Sequence, residues 1–296
     1  MAERVLVTGG LGFIGARLCS ALLAEGFRVR CVDNLSGSYA PETGPAAAAM
    51  LSARGAEVLV EDANTAHTSG VDAAVHLAAL PGVRTRHPFA ALRAANVELP
   101  ALLMRAARAR GVRFVFASSS SVYGDALELP TPEPATLAPL NPYARSKVAA
   151  ELALRGEAVV VRPFTVYGPG QRPDMAFARW IAAIAAGEPV PWHAAPGTAR
   201  DFTYVDDAVA GLIAALRHGC AGEAYNVSGG RSVELRDALE LLGPETIREL
   251  PRASAEARVT SGCGRKSAAE LGYSPSVDLA TGLARQAAVS SRRLAA

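Results

Sequence analysis

Apolar residues recur along this chain in two alternating periods. Short runs at Arg4–Thr8 (RVLVT), Arg28–Val32, Glu57–Val60, Ala73–His76, Arg113–Ala117 and Ala158–Val161 read as strands. Between them, Phe13–Glu25, Ala46–Ala53, Pro88–Arg110 and Tyr143–Leu154 carry helical spacing. Strands alternating with helices predict a parallel sheet covered on both faces, an α/β, doubly wound arrangement. Beyond about Val166 the pattern turns to helices near Met175–Ala186, Val205–Arg217, Ser232–Leu242 and Asp278–Ala288, with short strands and many prolines. The expected division is a Rossmann unit over residues 1–165 and a smaller mixed α/β substrate-binding unit over 166–296, with an interleaved boundary.

Composition narrows the class. The chain has 296 residues, 50 % hydrophobic and 20 % charged, as a folded globular protein does. A net charge of +2 implies no special affinity for nucleic acid or membranes. No apolar run is long enough to cross a bilayer. Of 30 basic residues only Lys147 and Lys266 are lysines, so a lysine inside a motif carries more weight than an arginine does. Cys19, Cys31, Cys220 and Cys263 form no CxxC pair and no metal-ligand spacing with the histidines, so no metal is expected. The chain opens directly on a strand pattern, so no secretory leader is expected and the cytoplasm is the expected compartment.

Glycines 9, 12 and 15 lie between the first strand and the first helix (TGGLGFIG). Small residues there let the backbone approach a pyrophosphate, whose charge meets the helix N-terminus. A tight turn alone would also explain the triplet. Asp33 closes the next strand, at the distance expected of an acid that binds an adenosine ribose diol. No arginine immediately follows it, so NAD is favoured over NADP.

Tyr143 and Lys147 are four apart and share a helix face. A neighbouring ammonium favours the phenolate and makes Tyr143 a workable general base. The serine run Ser118–Ser121 follows the strand Arg113–Ala117, at the carboxyl edge where such sheets bind ligands. A hydroxyl there can hydrogen-bond a reacting oxygen; a serine-rich turn is the alternative reading.

With GGLGFIG (9–15), HLAAL (76–80), SSSSVYG (118–124), NPYARSK (141–147), RPFTVYGPGQRPDMA (162–176) and RDFTYVDD (200–207), the chain resembles the extended short-chain dehydrogenases that act on nucleoside-diphosphate sugars. The resemblance covers essentially the whole chain. It implies an NAD-dependent enzyme in which Ser119 is the catalytic serine, Tyr143 the base and Lys147 the lysine that tunes it. It places Gly9, Gly12, Phe13, Ile14, Gly15, Asp33, Asn34, Asp62, Ala63, Leu77, Ala78, Ala79, Asn96, Ser118, Tyr143, Lys147, Pro163 and Val166 at the cofactor. Substrate contacts are implied for Arg84, Ser120, Ser121, Thr165, Arg172, Met175, Ala176, Phe177, Arg200 and Arg252. A homodimer through the Tyr143 helix is also implied.

Members of this family share oxidation at sugar C4 and diverge at the 4-keto stage. Dehydratases and decarboxylases carry Glu where this chain has Ser121, whereas an epimerase needs no such acid. Thr165, the following QRPDMA and GVR at 82–84 are similar to UDP-glucuronate 4-epimerases, in which Thr165 and Arg172 would hold the substrate carboxylate. The expected activity is interconversion of UDP-glucuronate and UDP-galacturonate. Alternatives are UDP-glucose 4-epimerase, UDP-glucuronate decarboxylase and, on the same fold, a non-catalytic NAD-sensing regulator. Arg84 and Arg252 remain open between anion binding and surface roles. His76, Trp180 and Trp192 read as structural, Asp206 and Asp207 as helix N-terminal acids. Cys263 stands where relatives usually carry Asp.

Overall fold

The computed structural model describes residues 3–36, 43–82, 87–251 and 256–294. Its first part runs β1 (Arg4–Thr8), α1 (Phe13–Ala24), β2 (Arg28–Asp33), α2 (Thr43–Ala53), β3 (Glu57–Val60), β4 (Ala73–His76), α3 (Phe89–Arg93), α4 (Leu99–Ala109), β5 (Arg113–Ala117), α5 (Pro142–Ala153) and β6 (Val159–Pro163). There follow β7 (Thr165–Tyr167), α6 (Ala176–Ala185), β8 (Val190–Trp192), β9 (Ala199–Tyr204), α7 (Val205–His218) and β10 (Ala224–Val227). The chain ends with β11 (Ser232–Glu234), α8 (Leu235–Glu240), β12 (Ile247–Glu249), α9 (Arg265–Leu271) and α10 (Leu279–Leu294).

Seven strands form one sheet in the order β10-β6-β5-β4-β1-β2-β3, and every neighbouring pair in it is parallel. Alternate residues of each strand point to opposite faces. Val5 and Val7 of β1 join Leu18, Leu22, Leu51 and Leu212 from α1, α2 and α7, while Leu6 joins Leu103, Phe114, Phe116 and Ala150 on the α4 and α5 side. Removing side chains of this size from water stabilises by about 1.5–3 kcal/mol each, which selects this register. The strand order reverses between β1 and β4, so the connections leaving them diverge to opposite faces and open a crevice at their carboxyl ends.

β11-β9-β7 and β12-β8 form two small sheets. Tyr167, Phe177, Trp180, Trp192, Phe202 and Tyr204 share a third core with Leu279 and Leu283 of α10. β10, beyond residue 166, returns to the edge of the large sheet beside β6.

Two elements depart from the sequence pattern. The helix expected over Pro88–Arg110 is interrupted at Ala94–Glu98 by a wide π turn. The extra residue per turn aims the Asn96 side chain at the loop after β4, where it bonds both backbone groups of Leu80. The helix expected from Ser232 begins three residues later, because Ser232–Glu234 pair antiparallel with Ala199–Asp201. No described helix is long and apolar enough to cross a membrane.

Candidate active site

The crevice begins at Gly9, held at φ +70 by a bond from its N–H to the Val32 carbonyl at 2.8 Å. A Cβ on Gly9 would stand 2.7 Å from the Ala78 nitrogen, and one on Gly15 would collide with the Gly9 carbonyl. Both positions therefore require glycine: β1, the β4 loop and α1 meet here backbone to backbone. Gly12 precedes α1, whose N-terminus has no side-chain cap and so offers its N–H groups to an anion. Asp33, at the end of β2, accepts from Leu11 N at 3.1 Å and Leu35 N at 2.8 Å, which fixes its carboxylate beside the glycine loop. Asn34 donates to Asp62 at 2.6 Å, linking the ends of β2 and β3. Phe13 and Ile14 pack against the third core and Ala63 against the α4–α5 side. This bare loop, uncapped helix and carboxylate fit the pyrophosphate and ribose diol of a dinucleotide.

Asn96 is buried and also donates to Ser146 of α5 at 2.9 Å. Its amide thus pins the loop Leu77–Leu80, with Ala78 and Ala79, to the helix that carries Tyr143 and Lys147.

Asn141 caps α5 by accepting from Ala144 N at 2.9 Å, and Pro142 takes the first helical position, where no N–H is needed. Lys147 is buried; its ammonium donates to Ala117 O at 2.8 Å and sits 4.7 Å from the Phe116 ring centre and 5.9 Å from that of Tyr143. Burial lowers its pKa to about 8, opposed by the Glu151 carboxylate one turn on. Tyr143 is half-buried. Ser119, two residues past β5, caps the turn Ser120–Tyr123, which packs against α5. Ser121 donates its hydroxyl to Ser119 Oγ at 2.9 Å. The buried hydroxyl of Ser118 donates to Glu151. Ser119, Ser121, Tyr143 and Lys147 thus come together at the carboxyl edge of β5.

β6 and β7 end this edge with Pro163 and Val166, both buried, and half-buried Thr165. The following loop carries Arg172, whose guanidinium takes both oxygens of Asp174 at 3.0 Å. Gln171 fixes the loop: it donates to Val166 O at 3.1 Å, accepts from Ala178 N at 3.2 Å, and is bonded by Gln286 of α10 at 2.9 Å. Met175 precedes α6, and Phe177 is buried among aromatic rings. A cleft beyond is lined by Ala176, Arg179, Trp180, Pro191, Thr198, Arg200 and Glu256. Arg200 faces Glu256 at 3.3 Å, and the buried hydroxyl of Thr198 has no hydrogen-bond partner among the described residues. Arg84 and Arg252 lie outside the described residues.

The remaining expectations resolve into structure. Trp180 stacks on Trp192 with ring centres 5.7 Å apart. Asp206 pairs with Arg17, and Asp207 accepts from Ser276 and Val277. Cys263 is buried and joins the Thr131 segment through its backbone. Sequence reading missed Glu151, although its spacing of four from Lys147 places it on the same helix face, gave Gln171 no role although it lies in the QRPDMA motif, and missed Gln286 and Thr198, which carry no local signal.

The family described as "NAD dependent epimerase/dehydratase family" matches residues 5–228. An uncharacterized UDP-glucose epimerase of Bacillus subtilis is 32% identical over 97% of this chain and 98% of its own length. The UDP-glucuronate 4-epimerase of Thermodesulfobacterium geofontis is 32% identical over 95% of this chain and 94% of its own. Among solved structures, the UDP-glucuronic acid 4-epimerase of Bacillus cereus in complex with UDP-glucuronic acid and NAD superposes with a TM-score of 0.91. It is 30% identical, over 99% of this chain and 100% of that one.

Proposed function

Because the chain belongs to the NAD-dependent epimerase/dehydratase family, we infer that it is an NAD-dependent UDP-sugar 4-epimerase that interconverts UDP-glucuronate and UDP-galacturonate. When bound, NAD supplies a reversible oxidation at sugar C4. Tyr143 takes the proton of the 4-hydroxyl and later returns it, and the Lys147 ammonium favours the phenolate that this requires. Ser119 donates a hydrogen bond to the same oxygen.

The observation that carries the epimerase reading is the bond from Ser121 to Ser119 at 2.9 Å. At the position where dehydratases and decarboxylases resemble one another in holding Glu, this chain has a neutral hydroxyl turned to the catalytic serine. It has no carboxylate there to move a proton at the neighbouring carbon. The 4-keto sugar therefore turns over in the site and is reduced on its other face. Arg200, in the cleft with Trp180 and Pro191, suits the diphosphate and would hold the nucleotide through that turn.

Thr165 and Arg172 suit the uronate carboxylate. A 4-keto-uronate is a β-keto acid that loses CO2 readily, and charge-assisted bonds to its carboxylate would hold the scissile bond out of line with the carbonyl. In this reading the uronate replaces Asp174 on Arg172. The Arg172–Asp174 pair equally favours a second reading, a neutral sugar as in UDP-glucose, because it satisfies Arg172 without a substrate carboxylate.

The site residues work in a chain that pairs with its own copy. Leu102 of α4 and Leu152 of α5 are 47% and 57% exposed on the helix layer that carries the base, where a second copy would cover them. Four unpaired cysteines support a reducing cytoplasm.

Incubation with UDP-glucuronate, and separately with UDP-glucose, followed by chromatography and proton NMR tests this assignment. UDP-galacturonate as the main product supports it. UDP-galactose alone would support the neutral-sugar reading, and UDP-pentose with CO2 would overturn the epimerase assignment.

A further inference from the structure

One buried polar cluster joins β6, α5 and the end of β5. Arg162 of β6 grips Glu151 of α5 with two bonds, Nε to Oε1 at 3.0 Å and Nη2 to Oε2 at 2.6 Å, and both side chains are over nine-tenths buried. The hydroxyl of Ser118 donates to the same Oε1. Arg162 also donates to Tyr123 Oη and to Glu133 O, both at 2.8 Å. Tyr123 in turn donates to Asn226 of β10 at 2.7 Å.

We propose that Glu151 is a positioning residue of the active site, its carboxylate clamped by Arg162 so that it holds Ser118, and with it Ser119, in one fixed relation to the Lys147 turn of α5. Three donors converge on the two carboxylate oxygens, so the group has a single arrangement. Ser118 is the residue before the catalytic serine, and Lys147 lies one helical turn before Glu151. Lys147 donates back to Ala117, the residue before Ser118. Strand end and helix are thereby tied at two points, by a cation at one and an anion at the other.

A buried ion pair kept only for stability would be a poor choice, since apolar side chains of the same volume often serve as well. This one has electrostatic reach. Of the charged and titratable groups around Lys147, Glu151 raises its pKa against burial, while His76 of β4 is held neutral by burial and Tyr143 lies on its own helix. Glu151 itself is faced by Arg162 from β6, Ser118 from β5 and Tyr123 from the following turn. Glu133 is turned aside, accepting from Asn226 N at 2.9 Å. Glu151 is therefore the anion that opposes the effect of burial on the Lys147 ammonium.

The proposal rests on the dehydrogenase reading of Ser119, Tyr143 and Lys147, and two readouts separate its failure from failure of that reading. The chain has only two lysines, so labelling lysine Nζ with nitrogen-15 gives two side-chain signals, and Lys266→Arg leaves that of Lys147 alone. Its titration needs no substrate. Glu151→Gln is expected to lower the Lys147 midpoint by about one pH unit, as loss of a neighbouring opposite charge does. Ser118→Ala leaves the ion pair intact and decides the matter where Glu151→Gln fails to fold. It is expected to lower kcat about tenfold with KM unchanged, since a loosened catalytic group slows the reacting step more than binding. An unchanged Lys147 midpoint in folded Glu151→Gln, or wild-type kcat in Ser118→Ala with only a lowered Tm, overturns the proposal. A wild-type chain that turns over no UDP-sugar would instead count against the functional reading.

Discussion

Thr8 and His76 meet across the point where the strand order reverses, Thr8 Oγ1 lying 2.7 Å from His76 Nδ1. They are register partners at the ends of β1 and β4, so the bond ties together the two strands whose outgoing connections diverge to open the crevice. The imidazole neighbours the rings of Phe114 and Phe116, with both ring centres 6.1 Å away. Burial, with the Lys147 charge adding to it, drives its pKa down to about 3.

His76 therefore enters the folded protein neutral and stays so at working pH. Between about 3 and 6.5 the unfolded chain binds a proton on this residue that the folded chain refuses, so stability falls as pH drops through that window. His76→Phe removes the term. Melting curves from pH 7 to 4 are expected to show wild-type Tm falling faster than that of the variant. Parallel curves would mean that the imidazole is protonated in the fold.

Tyr143→Phe removes the proposed base from a half-buried position and is expected to leave Tm near the wild-type value while kcat falls by about 10²–10⁴. Lys147→Met acts differently. The folded pKa of about 8 lies below the ordinary 10.5, so a charged Lys147 is a burden on the fold at neutral pH, and that burden lifts as pH rises from 8 to 10.5. The methionine variant is expected to melt higher at pH 7 and to turn over more slowly. The wild-type rate should also decline above about pH 8, as the ammonium is lost.

Arg172 is held by Asp174 at both oxygens and lies 15% exposed. Arg172→Ala is expected to raise KM for UDP-glucuronate about tenfold or more, the worth of a charge-assisted pair, and to release UDP-pentose beside the epimer. Product analysis by chromatography checks it. A variant that epimerises UDP-glucuronate at the normal rate without pentose would remove Arg172 from the carboxylate site.

Leu152→Glu places a charge on the α5 surface that a second copy would cover. Sedimentation at micromolar concentration is expected to find the wild type as a dimer and the variant as a monomer with unchanged secondary structure. A wild type that sediments as a monomer contradicts the dimer.

The features written locally were legible in the chain. β1, β3, β4 and β5 have the bounds that their apolar runs mark. The glycine loop, Asp33 and the Tyr143–Lys147 helix lie where their spacing puts them, because turn, strand end and helix face are properties of a few consecutive residues. What failed depended on distant partners. Nothing in Ala224–Val227 says that it will pair with β6, and the π turn at Asn96 answers to Leu80 and Ser146 rather than to its own sequence. Ser232–Glu234 is a strand only because β9 is beside it. The same holds within the site. Arg172 stood out by motif, but the Gln171–Gln286 brace that fixes its loop joins residues 115 apart in the chain.

Oxidation and reduction at one carbon, with the sugar turned over in between, is the central claim. Converting UDP-glucuronate carrying deuterium at C4 in ordinary water, and unlabelled substrate in heavy water, tests it directly by NMR. The account predicts UDP-galacturonate that keeps the deuterium at C4 and gains none from solvent at C5. Loss of the C4 label would mean that the hydrogen taken from C4 is not the one returned, and solvent deuterium at C5 would mean that a proton is moved at the neighbouring carbon; either would contradict the proposed roles of Ser119, Ser121 and Tyr143.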